Sequence, residues 1–238
     1  MRRQSIALTG LVVPLAALVV GSGAPDDEIL FAQTHLIIEL NDTAGDVGVQ
    51  VFLDGDPWRQ LRVFNPSGRR ILEIRGTGSL ELQGLTELFF ESSEPPLSEL
   101  SLEEFKRRFP EGEYEFEGIT IEGDFIEGTA SFTHVIPDAP VVLSPPEGSM
   151  QNAANTVISW LDVANPPGSE ITAYQVIVTD LVEVFPKRTF SVHVPAGTTS
   201  MTVPAEFLQL GADYEFEVLA IEAGGNQTIT ASFFSTMP

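Results

Sequence analysis

Tyr214-Glu215-Phe216-Glu217-Val218-Leu219-Ala220 is the stretch that decides the fold. Successive side chains of an extended chain point to opposite faces, so Tyr214, Phe216, Val218 and Ala220 share one face while Glu215 and Glu217 point away. A helix would scatter these aromatics; a strand gathers them onto one side of a core. Working outward, Val157-Ile158-Ser159-Trp160, Tyr174-Gln175-Val176-Ile177-Val178, Thr189 to Val194 and Thr199 to Val203 have the same strand-like character. Turn formers such as Asn165-Pro166-Pro167-Gly168 separate them. Short strands in this rhythm predict an antiparallel β-sandwich, with Trp160 meeting the Tyr214 face in its core.

These residues resemble the fibronectin type III family over about 138–238. The marks are Pro137 and Pro140 before the first strand, Trp160 in the second, Tyr174 opening the third, and Leu208 six residues before Tyr214. The resemblance implies a tyrosine corner at Tyr214, followed by Phe216, Val218 and Ala220 at the family's alternation. Leu210 and Ala212 stand where the family often has Pro and Thr, and no Arg-Gly-Asp tripeptide is present.

The N-terminal half carries an echo. Tyr114-Glu115-Phe116-Glu117 recurs 100 residues later at Tyr214, and Thr129-Ala130-Ser131-Phe132 recurs 101 residues later at Thr230. The echo reads either as domain duplication or as the habit of any closing hairpin to point aromatics inward. Both readings predict a closing pair near 113–121 and 126–135. There the apolar parity changes from Phe116 to Ile119 and Ile121, so a bulge at Gly118 is expected. Strands are also expected at 35–40, 48–53, 61–64, 70–74 and 86–90, with Asn65-Pro66-Ser67-Gly68 as a type I turn. One helix is expected, capped by Ser101 with Glu104 three residues on and stopped by Pro110. The fold class is thus all-β: two tandem antiparallel β-sandwiches, immunoglobulin-like and fibronectin type III-like, with one short helix in the first.

Residues 1–24 have two arginines, an apolar stretch from about Ile6 to Val20 and a small-residue end, the pattern of a signal peptide. Domains are therefore expected at 25–136 and 137–238, joined through Ile136-Pro137-Asp138-Ala139-Pro140. Export would place the mature chain outside the cytoplasm, secreted or periplasmic, with no membrane insertion after cleavage. There is no cysteine among 238 residues, which excludes disulfides and thiolate chemistry. The chain has 34 acids against 12 Lys and Arg, a net charge of −22. Such a surface argues against nucleic acid, whose phosphates demand cations. All eight bases of 25–136 fall between Arg59 and Arg108, a segregation suited to self-association with an acidic surface of another copy, or simply scattered surface arginines.

Candidate chemistry concentrates in two turns. Asp42, Asp46, Asp54 and Asp56 would supply the oxygens that Ca2+ prefers if the strand at 48–53 folds back to bring them together; Asp and Gly are equally ordinary turn formers. Asp54, Asp56, Trp58 and Arg59 form a second candidate, in which an exposed tryptophan beside charged groups stacks on a sugar or docks a partner; core packing is the alternative. His35, His134 and His193 lie in strand patterns without partners at metal or triad spacing. The expectation is a non-enzymatic exported protein that recognises an extracellular protein or glycan. The alternatives are an accessory or catalytic subunit acting on extracellular polysaccharide, and a subunit of a filament or matrix. Asn41-Asp42-Thr43 and Asn226-Gln227-Thr228 match the glycosylation sequon.

Overall fold

A computed structural model describes residues 29–182 and 185–238, so the expected signal peptide lies outside the described residues. The first half comprises β1 (Ile29–Leu30), β2 (Gln33–Asn41), β3 (Asp46–Phe64), β4 (Arg70–Arg75), α1 (Ser79–Gln83), β5 (Leu85–Glu91), α2 (Leu102–Arg108), β6 (Gly112–Thr120) and β7 (Phe125–Phe132). The second comprises β8 (Val142–Ser144), β9 (Ser149–Gln151), β10 (Val157–Trp160), β11 (Ile171–Asp180), β12 (Thr189–Pro195), β13 (Ser200–Thr202), β14 (Asp213–Glu222) and β15 (Gln227–Thr236). The chain is all-β, with two short helices. Two hydrophobic clusters form, one within 31–132 around Trp58, Tyr114 and Phe116, the other within 153–234 around Trp160, Tyr174 and Tyr214.

The second sandwich sets β13-β10-β8 against β15-β14-β11-β12. Trp160 and Tyr174 lie in its core with ring centroids 5.4 Å apart, and Tyr214, Phe216, Val218 and Ala220 are all buried. The Tyr214 hydroxyl accepts the Gln209 N–H at 2.7 Å, closing the expected corner. The first half has a corner of the same kind, with the Tyr114 hydroxyl donating to the Pro110 carbonyl at 3.0 Å.

The second part of the echo does not survive. Tyr114 faces Ala130 across its hairpin, whereas Tyr214 faces Phe234. Phe132 is buried while Phe233, its sequence counterpart, is 48% exposed, so the two Thr-Ala-Ser-Phe stretches point differently.

The expected loop between 53 and 61 is also absent. Residues 46–64 form one strand whose first part pairs with β2 and β5 and whose last part pairs with β6 and β4. The register shifts between Asp54 and Trp58, where the strand passes from one layer of the sandwich to the other. Gly55 permits the turn, because a Cβ there would lie 2.7 Å from the Phe31 ring. The bulge expected at Gly118 lies instead on β3, where Trp58 and Gln60 face consecutive residues Thr120 and Ile119. β6 keeps its alternation, with Gly118 and Thr120 inward. Gly118 is inward because Ile126 Cγ2 and the Phe31 ring already fill its side-chain space. The helix at 102–108 is as expected, Ser101 Oγ accepting the Glu104 N–H at 3.3 Å. α1 was not legible in the sequence, since none of its five residues is buried and no apolar period marks it.

What unites the halves is a parallel pairing. β2 lies beside β15, with Glu39, Leu40 and Asn41 opposite Gln227, Thr228 and Ile229. One sheet path therefore runs β1-β7-β6-β3-β2-β15-β14-β11-β12 through both sandwiches. Side chains lock this seam. Asn226 Oδ1 accepts the Ile38 N–H at 2.8 Å, adding a rung before the ladder begins. Its Nδ2 donates to the Thr133 and Val135 carbonyls at 3.2 and 2.8 Å. The hydroxyls of Thr228 and Thr230 donate to the Pro137 and Pro140 carbonyls at 2.6 and 2.7 Å, binding the connector along β15. On the other side of the sheet the buried Glu39 carboxylate accepts from the side-chain amides of Gln50, at 2.8 Å, and Gln227. A buried carboxylate needs such donors to offset its lost hydration.

Three outcomes test this packing. Gly118→Ala should cost about 1–3 kcal/mol through overpacking, read by urea unfolding. Asn226→Ala should cost roughly 3 kcal/mol, because it strands buried donors and acceptors; Asn226→Asp should be comparably harmful, since a carboxylate oxygen would face the Thr133 and Val135 carbonyls. Burial pushes the Tyr114 and Tyr174 hydroxyls up to about 12 from 10.0. For these acids the unfolded chain ionises first, so stability holds below pH 10 and falls as pH rises toward 12. Melting temperature and tyrosinate absorbance measured together across that window should change in concert.

Candidate functional site

The fold separates the four aspartates proposed for Ca2+. Asn41 pairs with Asp46 at the turn end of the β2–β3 hairpin, and Gln33 pairs with Asp54 at the other end. The eight residue-to-residue steps of unbroken strand from Asp46 to Asp54 span about 27 Å. Asp42 and Asp46 therefore cannot join Asp54 and Asp56 around one ion, and the reason is that 46–54 runs straight. The Asp42–Asp46 stretch is instead a turn in which Asn41 Oδ1 accepts the Ala44 N–H at 3.0 Å.

The second expected group is the layer-crossing bend of β3. Trp58 is 0% exposed and belongs to the first core, so it cannot stack on a ligand. Arg59 gives its backbone carbonyl to the Gly76 N–H at 2.9 Å. The segment is structural: aspartates flank a glycine and a proline where the strand must turn, and the tryptophan anchors the far side.

Five of the eight bases of the Arg59–Arg108 segment meet acids nearby. Arg62 and Arg70 meet Glu73 at 3.7 and 2.6 Å, Arg75 meets Glu81 at 3.3 Å, and Arg107 and Arg108 both meet Glu104. These partners are exposed or half-exposed, where each pair contributes about 0–1 kcal/mol. Lying beside acids of the same segment, these five bases reduce the charge segregation read from the sequence.

The seam creates a site that sequence reasoning missed. A cleft of about 350 Å3 lies where α2, the end of β2, the connector and β15 converge. Leu40, Leu102, Ile136, Pro137 and Ala139 contribute apolar atoms to it, and Asp42, Lys106 and Asp138 bring both signs of charge. Thr228, which binds Pro137, is in its lining. Of the expected site residues only Asp42 enters the cleft. The His134 ring is held from two sides: Nε2 donates to the Phe109 carbonyl at 2.7 Å, and Nδ1 lies 4.0 Å from Glu111 Oε1. It thereby ties the end of α2 to the connector. The surface it presents is more polar than apolar, so what it offers a ligand at the junction of two packed units is chiefly hydrogen-bonding and charged groups.

Two further features changed meaning. Asn226 of the second sequon is only 2% exposed and fully engaged in the seam, so the folded chain does not present it for glycosylation. Glu39, Glu91 and Glu94 bring carboxylate oxygens within 4.8 Å of one another. This is the grouping in which a hard cation would find three carboxylates, but Glu39 already serves the two seam amides. The signal that marked the seam was visible, though ambiguous: Asn226-Gln227-Thr228-Ile229-Thr230 is a polar strand opening unlike the aromatic–glutamate alternation of Tyr214–Glu217.

Among the described residues no helix is long and apolar enough to cross a membrane. Comparison with protein-family models and with curated proteins gives no match. Among solved structures the chain is similar to the FN1–FN3 domains of chicken CNTN1, at 10% identity and a TM-score of 0.35, covering 89% of this chain and 65% of that one. The chain thus spans under two thirds of the neighbour's length.

Proposed function

We propose that this is an exported, non-enzymatic binding protein, built of modules at 25–136 and 137–238, that recognises an extracellular protein or glycan at the cleft between them. The observation that supports this is the seam. Glu39, Asn226, Gln227, Thr228 and Thr230 spend buried hydrogen bonds on fixing one module beside the other. Holding two sandwiches in one arrangement limits the ordering cost of binding across both, which is how preorganisation raises affinity. The mixed charge of Lys106, Asp42 and Asp138 on a mainly polar lining suits a partner segment carrying hydroxyls or both charges rather than a polyanion.

The test is calorimetric titration of the mature protein with soluble extracellular glycans and with peptides from surface proteins of the source organism. Ala139→Trp, which fills the cleft, should weaken any partner found by at least about tenfold, roughly 1.4 kcal/mol, with the melting temperature unchanged. Turnover of a glycan by the purified protein would overturn the non-enzymatic reading, and binding indifferent to Ala139→Trp would remove the cleft from it.

A further inference from the structure

The long sheet path ends at β12, which among the described residues pairs only with β11. Exposed strand edges are normally protected by charge, by a bulge, by proline or by shortness, because their unpaired backbone groups are a template for another strand. β12 reads Thr-Phe-Ser-Val-His-Val-Pro and has no acid or lysine in a chain of 34 acids. Its register with β11 runs unbroken from Ala173–Pro195 to Thr179–Thr189, so no bulge twists it away, and its one proline stands at the end. His193 is its one titratable side chain, and desolvation holds it below its usual range.

The other edges differ. β4 carries Arg70, Glu73 and Arg75, and β5 carries Glu87 and Glu91. β8, β9 and β13 have three residues each, and β1 has two. Within this acidic chain, therefore, β12 is a full-length described edge that can meet its own copy without setting charge against charge.

We propose that β12 is a homodimerisation edge, pairing antiparallel with β12 of a second copy about a two-fold axis at Val192. The strand is self-complementary in that register. Phe190 falls opposite the partner's Val194 and Ser191 opposite the partner's His193, and aromatic to β-branched pairs are among the favourable cross-strand contacts. Antiparallel pairing of one strand with its own copy is isologous, so the assembly closes as a dimer. The two acidic bodies repel while the contact itself is uncharged, so salt strengthens the dimer by screening.

Sedimentation of the full chain over a concentration series at low and high salt tests this. The expected result is a reversible monomer–dimer equilibrium whose dimer share rises with salt. A strict monomer throughout, or a dimer that salt dissociates, overturns the proposal. Thr189→Lys combined with His193→Lys places like charges across the axis on exposed positions. It should give monomer at every concentration with an unchanged melting temperature; a retained dimer overturns the proposal. Independently of any variant, amide exchange within 189–195 should slow as wild-type concentration rises through the dimer range. Exchange there that is indifferent to dimer formation overturns it equally.

Discussion

The pairing of β2 with β15 is the constraint on which the rest of the structure depends. Three parallel rungs would be a slight contact by themselves. They become a fixed junction because side chains continue the ladder beyond its backbone pairs. Asn226 supplies an amide in place of a further strand residue, and the Thr43 hydroxyl accepts the Ala231 N–H at the other end. The Asn226 groups are buried, and leaving one unmet costs more than its bond gains. The seam is specified by that penalty more than by apolar packing.

Several surface properties follow from it. Since β15 is flanked by β14 on one side and by β2 on the other, the second sandwich has no free edge where they pair. The connector, stiff by its prolines, is also tied by its carbonyls to Thr228 and Thr230, so it serves as the floor of a cleft rather than as a hinge. At the far end of the long sheet path, the outer edge of β12 pairs with no described strand.

The candidate site shows where sequence reasoning reaches its limit. Asp54-Gly55-Asp56-Pro57-Trp58 has the composition of a ligand loop and is a bend between sheet layers. Both roles select the same residues, because glycine and proline allow a turn and aspartate tolerates its exposed backbone. Burial alone separates them, and burial belongs to the packed state. In the same way, Asn226-Gln227-Thr228 has the form of a sequon because Asn and Thr are also the residues that cap a strand against a neighbouring chain segment.

From the sequence by itself come the all-β class, most strand positions, the capped helix and the Tyr214 core face. Each rests on contacts between residues close in the chain or on a two-residue period, which local order displays directly. Tertiary structure alone decided that β3 serves both layers, that Gly118 stays inward beneath Phe31, that the aspartates lie apart, and that a cleft opens at the seam. These outcomes depend on partners far along the chain: Trp58 meets Thr120, 62 residues on, Gly118 lies against Phe31, 87 residues away, and Asn226 meets Val135 and Ile38 at 91 and 188. No periodicity records a partner at that distance. Only the requirement that every buried polar group be met, applied across the whole folded chain, selects it.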